Sequence, residues 1–414
     1  MSKLHLWRGR LKASLVAPVL AAALGSSPAQ AVECTELPNP LLFPATTLLE
    51  SLLAEVSPVL ADDTRVGADQ MTIVHFPLSS CISYDIQREQ MPLTGTGIYY
   101  LPDGTQQTCD LPVDTELRSD LSAMDVGGVT CLGGQAAPAD LLEYPSHVET
   151  LGFVVPRNST QTAITATEAY YMMKFAGEPG MEVAPWTDPN FILVRNPGSS
   201  TQLTIGANIG LSGTMWNGAL QGHQGSGDVR DAVIAQNATG NAERTLGILN
   251  SSKWEAALND MKVLAFQPFN NCFGAVFPDS TSTSRDKRNV RDGHYPLWTN
   301  LRYIVRTDDA GAVVTTNGDA AAQRAQRFID LMTGISSIET LNVAEAVIGT
   351  GNIPTCAMHV AREVDGGPIA SFEHPAPCDC FFLEQNGIDS GCGSCTSDDE
   401  CGGGACRFGY CEPR

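Results

Sequence analysis

Arg195 stands four residues ahead of a Ser199-Ser200-Thr201 run in VRNPGSSTQLTI (194–205), with a Pro-Gly turn between them. One cation and three hydroxyls, set where an apolar stretch gives way to a helix-like one, suit two kinds of work. The hydroxyls can cap the helix, as Ser and Thr usually do at such a position. They can also join the free N–H groups at the positive end of the helix dipole and a bidentate guanidinium to cradle a tetrahedral oxyanion. Residue types alone leave both open. Hydrolytic and redox signatures are missing: there is no G-x-S-x-G, no H-E-x-x-H and no Cys/His nucleophile pair. QGHQGSGD (221–228) has the glycine density of a phosphate loop without its lysine and following Ser/Thr, and reads as a flexible turn. The expectation is a non-catalytic protein with no cofactor and no metal site; His294 has no second ligand at a useful spacing.

The elements that would position this stretch alternate in type. Residues 38–61 read as a loop leading into an amphipathic helix, capped by Thr46 or Thr47. MTIVHF (71–76), LGFVVP (151–156), ILVR (192–195), TLGIL (245–249) and KVLAFQ (262–267) read as strands. LSSCISYDIQREQ is a turn followed by a helix, and 117–131 is a strand ending in a Gly-rich turn. AITATEAYYMMKFAG (163–177) is a helix with Thr165 as cap, Glu168 three later and Gly177 as stop. DVRDAVIAQNA (228–238) is a further helix. Strands alternating with helices predict an α/β fold with mainly parallel sheets.

In this order the segments resemble the periplasmic phosphate-binding proteins, the solute receptors of phosphate ABC importers. Arg195, Ser199 and Thr201 match that family's R-x-x-x-S-G-T signature, with Ser200 in place of the glycine. Trp186, Asp188 and Pro189 match the W-x-D-P just upstream. LFPAT (42–46) resembles the T-F-P-A loop, with Phe43 matched and Leu42 replacing threonine. PLSSC (77–81) resembles the Gly-Ser-rich turn, with Ser79 and Ser80 matched and Cys81 replacing glycine. AMDV (123–126) resembles the Ser-Asp element, with Asp125 matched and Met124 replacing serine. The resemblance covers about residues 38–270 and implies a two-lobed, type II periplasmic-binding-protein-like fold. It also implies an interlobe site made of Phe43, Ser79, Ser80, Asp125, Arg195, Ser199, Ser200 and Thr201. Arg195 would supply charge, the hydroxyls would donate, and Asp125 would accept a proton carried by the ligand, favouring hydrogen phosphate over sulfate. The implied partners are inorganic phosphate or a similar oxyanion, and an ABC permease.

The ends of the chain are of another kind. Lys3, Arg8, Arg10 and Lys12, the apolar SLVAPVLAAALG and Ala29-Gln30-Ala31 form a signal peptide over 1–31, which predicts a periplasmic or secreted protein. No later segment is long and apolar enough to span a membrane. The net charge of −21 argues against nucleic acid as a partner, since phosphate contacts need Lys and Arg. All 13 cysteines follow the leader, seven of them within 378–411, so disulfides are expected and an odd cysteine is left over. CGSC (392–395) reads as part of that disulfide scaffold rather than a redox or zinc pair. The basic island Arg285, Lys287, Arg288 and Arg291 reads as a salt-bridged surface loop with Asp279, Asp286 and Asp292.

The domain plan drawn from these signals is a first lobe from 32–150, a second lobe from 151–245, and a return to the first lobe with an extension over 246–377. A cysteine-rich tail completes it over 378–414. A structural or adhesive envelope protein on the same scaffold is the competing function.

Overall fold

The computed structural model describes residues 32–212, 215–216, 225–269 and 272–413; the leader lies outside them. Strand β1 (Pro40–Thr46) runs through a short 3-10 turn into helix α1 (Glu50–Ala61), followed by the single turn α2 (Asp63–Val66). Then come β2 (Thr72–Leu78), α3 (Ser80–Glu89), β3 (Thr96–Tyr100), β4 (Gln106–Asp110), β5 (Ser122–Met124) and α4 (Gly128–Cys131). β1 pairs in parallel with β2 along its length, and with β5 at Ala45–Ala123.

The expected loop at 38–46 is therefore a strand between two others. Two prolines argued against it, since a central strand needs its N–H groups. Pro44 shares a side of the strand with Leu42, whose N–H is taken by the Asp120 carboxylate at 2.8 Å rather than by a neighbouring strand. Few ladder bonds are made on that side, so Pro44 is tolerated there.

The 16-residue β6 (Leu141–Pro156) spans about 50 Å at ordinary strand rise and belongs to both lobes. Its first half pairs antiparallel with β12 (Trp298–Thr307) and its second half with β9 (Leu246–Asn250) and β10 (Met261–Val263). Between them lie β7 (Ala163–Thr165), α5 (Ala166–Phe175), β8 (Ile192–Leu193), α6 (Ser200–Ile209), α7 (Ser226–Ala235), α8 (Ser251–Glu255), β11 (Ala265–Gln267) and α9 (Arg288–Arg291). The capping box of Thr165 and Glu168 forms as its spacing predicts. The sheet path β4-β3-β2-β1-β5-β12-β6-β9-β8 is mixed rather than mainly parallel, because β12 inserts antiparallel between β5 and β6.

After β12 come β13 (Val313–Val314), α10 (Asp319–Met332), α11 (Val343–Gly349), β14 (Val360–Ala361) and β15 (Ala370–Ser371). One apolar core joins β1, β2, β5, β12, α1, α10 and α11 around Phe43, Leu52, Ile73, Tyr303 and Phe328. A second gathers the far half of β6 with α5, α6, β9 and β11 around Phe153, Trp186, Ile205, Ile248 and Phe266. Two cores on either side of β6 and β12 make a two-lobed α/β molecule. Residues 246–267, read from sequence as returning to the first lobe, pair with β6, β7 and β8; the chain next meets first-lobe strands at β12.

The tail holds α12 (Asp379–Gln385), β16 (Ala405–Arg407) and β17 (Tyr410–Glu412). It packs on the second core through Phe381 and Phe382. Disulfides Cys380–Cys392, Cys395–Cys406 and Cys401–Cys411 hold it, and Cys356–Cys378 ties it to the preceding segment. The two cysteines of CGSC thus go to different disulfides, as the scaffold reading expects. Cys34–Cys109 and Cys81–Cys131 fasten the first lobe, and Cys272 is the odd thiol, exposed.

Candidate functional site

The carboxyl ends of β1, β2 and β5 converge, as the crevice rule for open α/β sheets anticipates. Each delivers one polar side chain: Thr46, Ser80 and Asp125. Asp125 is 0% exposed. Its Oδ2 accepts from Thr46 Oγ1 at 2.7 Å, Ser80 Oγ at 3.2 Å and Ser200 Oγ at 2.7 Å. The first two donors come from the first lobe and the third from the second, so this carboxylate joins the lobes. Oδ1 is buried with no hydrogen-bond partner among the described residues. Burial pushes the Asp125 carboxyl up to about 7, the nearby Glu149 charge adds to this, and the hydroxyls oppose it.

Helix α6 presents its first turn to the same place. Ser199 holds the N-cap position with an extended backbone, yet its side chain makes no capping bond. Ser200 gives its hydroxyl to Asp125 instead of to the helix, and Thr201 Oγ1 is buried without a partner among the described residues. The run therefore departs from a plain cap. Ser79 occupies the same N-cap position on α3, again with no capping bond, and faces the turn at Gly198, where an added Cβ would lie 3.5 Å from Ser79 Oγ. The Cys81–Cys131 disulfide pins α3 to α4 beside it.

Arg195 is 4% exposed and donates to Ser226 Oγ, at the start of α7. Burial lowers its pKa to about 10, against the pull of Asp125, Asp228 and Glu50. Of the eight residues expected at the site, the structure gathers Ser80, Asp125 and Ser200 by direct bonds, with Ser79, Ser199 and Thr201 on the adjoining helix ends. The Asp125 charge acts on Arg195 as well. Phe43 does not join them. Its ring packs at 5.5 Å from Phe328 and 6.1 Å from Tyr303 in the first core, three residues short of the strand end that carries Thr46. Met124 also turns away, packing with Tyr84, Leu141 and Ile304.

Sequence reading missed Thr46 as a site residue, Ser226 in a loop taken for a plain turn, and Glu149. Glu149 is 0% exposed on β6, with neither carboxylate oxygen hydrogen-bonded among the described residues. Burial pushes it up to about 8, with Lys253 opposing. His147, whose Nε2 lies 3.8 Å from Glu149 Oε1, is pushed down to about 4 by burial, with Asp125 opposing. The only trace of Glu149 in the sequence is SHVET (146–150), polar residues whose meaning depends on the strand being buried on both faces.

Two cations of the basic island, expected on a surface loop, are buried and structural, while Arg285 and Arg288 stay exposed. Lys287 Nζ is held by Glu255 and by Asp279, the latter at 3.2 Å. Arg291 pairs with Asp379 and lies 4.8 Å over the Phe382 ring, anchoring the tail. The sulfurs of Cys395, Cys401 and Cys406 lie within 4.8 Å of one another, but all are committed to disulfides and offer no thiolate to a metal.

The structure thus defines a two-lobed α/β chain whose helix N-termini and buried polar side chains meet between the lobes. No family model matches it, and no curated protein does. Among solved structures it is similar to a Clostridium perfringens protein assigned as a phosphate ABC transporter substrate-binding protein with bound phosphate. Identity there is 11% over 77% of this chain and 100% of that one, with a TM-score of 0.46. It is similar too to an ABC-type phosphate transport receptor of Vibrio cholerae (11%, 76% and 100%, TM-score 0.44). A Corynebacterium glutamicum OxyR mutant with bound H2O2 also superposes (11%, 72% and 68%, TM-score 0.36). Superposition at this level leaves function to the chain's own residues.

Proposed function

We propose that this chain is a non-catalytic receptor for a small tetrahedral oxyanion, phosphate first, closing two lobes around it outside the cytoplasm. The observation that carries the reading is the meeting of Thr46, Ser80 and Ser200 on the one buried Asp125, with Arg195 in the same electrostatic neighbourhood. A carboxylate among hydroxyls is a poor feature for an anion site unless the ligand brings a proton. Hydrogen phosphate does and sulfate does not, so Asp125 discriminates between them by accepting that proton. The hydroxyls of Ser199 and Thr201 and the N–H groups at the start of α6 supply donors to the remaining oxygens, while the one proton of Ser200 stays on Asp125. β6 and β12, shared by both lobes, are the segments about which closure occurs. Six disulfides among the described residues support an oxidising compartment. In an importer, the closed form is what a permease would engage.

Calorimetric titration of phosphate into the oxidised, phosphate-stripped chain tests this. Saturable binding is expected, with sulfate failing to compete and Arg195→Ala weakening it by about a hundredfold or more, as loss of a bidentate charged contact implies. Absence of heat together with no rise in melting temperature on adding phosphate would reject the reading.

A further inference from the structure

Glu149 lies on β6 directly opposite Thr299 of β12. The Thr299 hydroxyl contacts the main-chain carbonyl of Asp125, and the two carboxyl groups, both 0% exposed, feel each other's charge. An ionised Glu149 has no well-formed hydrogen bond, and Lys253 and the Asn250 side chain offset its desolvation only in part. The groups that face it are few. His147, from its own strand, is kept neutral by burial; Asp125 comes from the end of β5, Lys253 from α8, and Tyr303 from β12. Lys253 is shared with Glu50 at 3.9 Å, and Arg195 with Asp125, Asp228 and Glu50. Asp365, bonded by the Thr299 hydroxyl at 3.2 Å, is engaged by Arg302 at 3.4 Å; beside that pair, two cations stand among four carboxyl groups before any ligand arrives. An oxyanion can enter only if some of those carboxyls are neutral.

Building on the phosphate reading, we propose that Glu149 is a specificity-determining proton holder of this site: it is protonated whenever the oxyanion is bound, and its ionisation expels the oxyanion. Asp125 accepts a proton from the ligand, whereas Glu149 keeps its own. Burial, which pushes Glu149 up to about 8, makes this workable at neutral pH. Below that value the acid is neutral before and after binding. Above it, one proton must be taken up from solvent with each anion, and affinity falls by up to about tenfold per pH unit.

The test is phosphate titration of the full oxidised chain and of Glu149→Gln from about pH 6.5 to about pH 9.5. The second ionisation of phosphate is common to both proteins and cancels in their ratio. The expected result is a ratio of mutant to wild-type affinity that rises at least tenfold across the alkaline half of the range. A flat ratio overturns the proposal while leaving the phosphate reading intact. Failure of the wild type to bind phosphate at any pH removes that reading, and this inference with it. Should Glu149→Gln not fold, wild-type binding enthalpies near pH 9 in two buffers of different ionisation heat report proton uptake directly. About one proton supports the proposal, and none overturns it.

Discussion

Lys287 and Arg195 are both buried cations, 2% and 4% exposed, and their surroundings move them in opposite directions. Burial works against the Lys287 ammonium, but Glu255 and Asp279 outweigh it and hold the group above its ordinary value. Around Arg195 burial wins over Asp125, Asp228 and Glu50, and the guanidinium falls to about 10. The first cation is neutralised by its own fold, as a structural ion cluster must be. The second donates to the Ser226 hydroxyl and feels three carboxyl groups, yet these do not outweigh its burial. Burial of a cation is common to both; what differs is whether the surrounding carboxylates outweigh it, as around Lys287, or do not, as around Arg195.

Substitution should separate the two most strongly. Lys287→Met strands Glu255 and Asp279 together, and a broken buried ion cluster costs about 3–5 kcal/mol. Its urea midpoint should fall accordingly, while the fraction still folded keeps its phosphate affinity. Arg195→Met should do the reverse, losing phosphate binding with little change in midpoint. Equal loss of stability in the two variants would end the distinction.

The acids of the site give the next effect. Asp125 and Glu149 have folded values of about 7 and about 8, above their ordinary values, because burial disfavours the charged forms. Both are protonated in either state at low pH, so their contribution is fully present below about pH 4. As pH rises toward 8 the unfolded chain ionises them first, and stability on the order of a few kcal/mol is lost. Urea midpoints of the phosphate-free chain should therefore fall from about pH 7 to about pH 8, above the range where unfolding protonates the buried His75 and His147 and offsets the slope. Asp125→Asn or Glu149→Gln should flatten the slope. Stability that instead rises with pH would mean that these carboxylates are ionised and paired.

How much of this was legible follows from where each residue gets its meaning. The helix mouth at Arg195–Thr201, the capping box at Thr165 and the disulfide character of the tail are local patterns, readable because spacing alone sets the chemistry. Asp125 and the Ser79-Ser80 turn were placed by their order along the chain, and the structure brings Asp125 and Ser80 into contact. β1 was not legible, because its prolines are excused by the Asp120 carboxylate, 78 residues away in sequence. Thr46, expected as a cap, does accept from the Leu48 N–H at 3.3 Å while donating to Asp125, and Phe43, matched through the T-F-P-A loop, is core. Glu149 was hidden for a related reason: a lone acid in a strand means little until the strand is known to be buried on both faces. The sequence pattern places the return of the chain at 246, where helix–strand alternation continues; strand pairing, a long-range property, puts the next first-lobe strand at β12.

The smallest effects concern the three hydroxyls on Asp125. Thr46→Val, Ser80→Ala and Ser200→Ala each remove one hydrogen bond, and each should weaken phosphate binding by about threefold to tenfold, the ordinary net value of such a bond. Phe43→Leu, in the register first favoured by the family resemblance, should cost stability and leave affinity where it was. Ser200 differs from the other two because it alone reaches Asp125 from the second lobe. Ser80→Ala loosens a contact that exists within one lobe, open or closed, so its loss in affinity should be matched in both association and dissociation. Ser200→Ala removes a contact that only the closed arrangement can make. Its effect should therefore fall almost wholly on the dissociation rate, measured by stopped-flow displacement of phosphate, and equal partitioning in the two variants would mean that the lobes do not part.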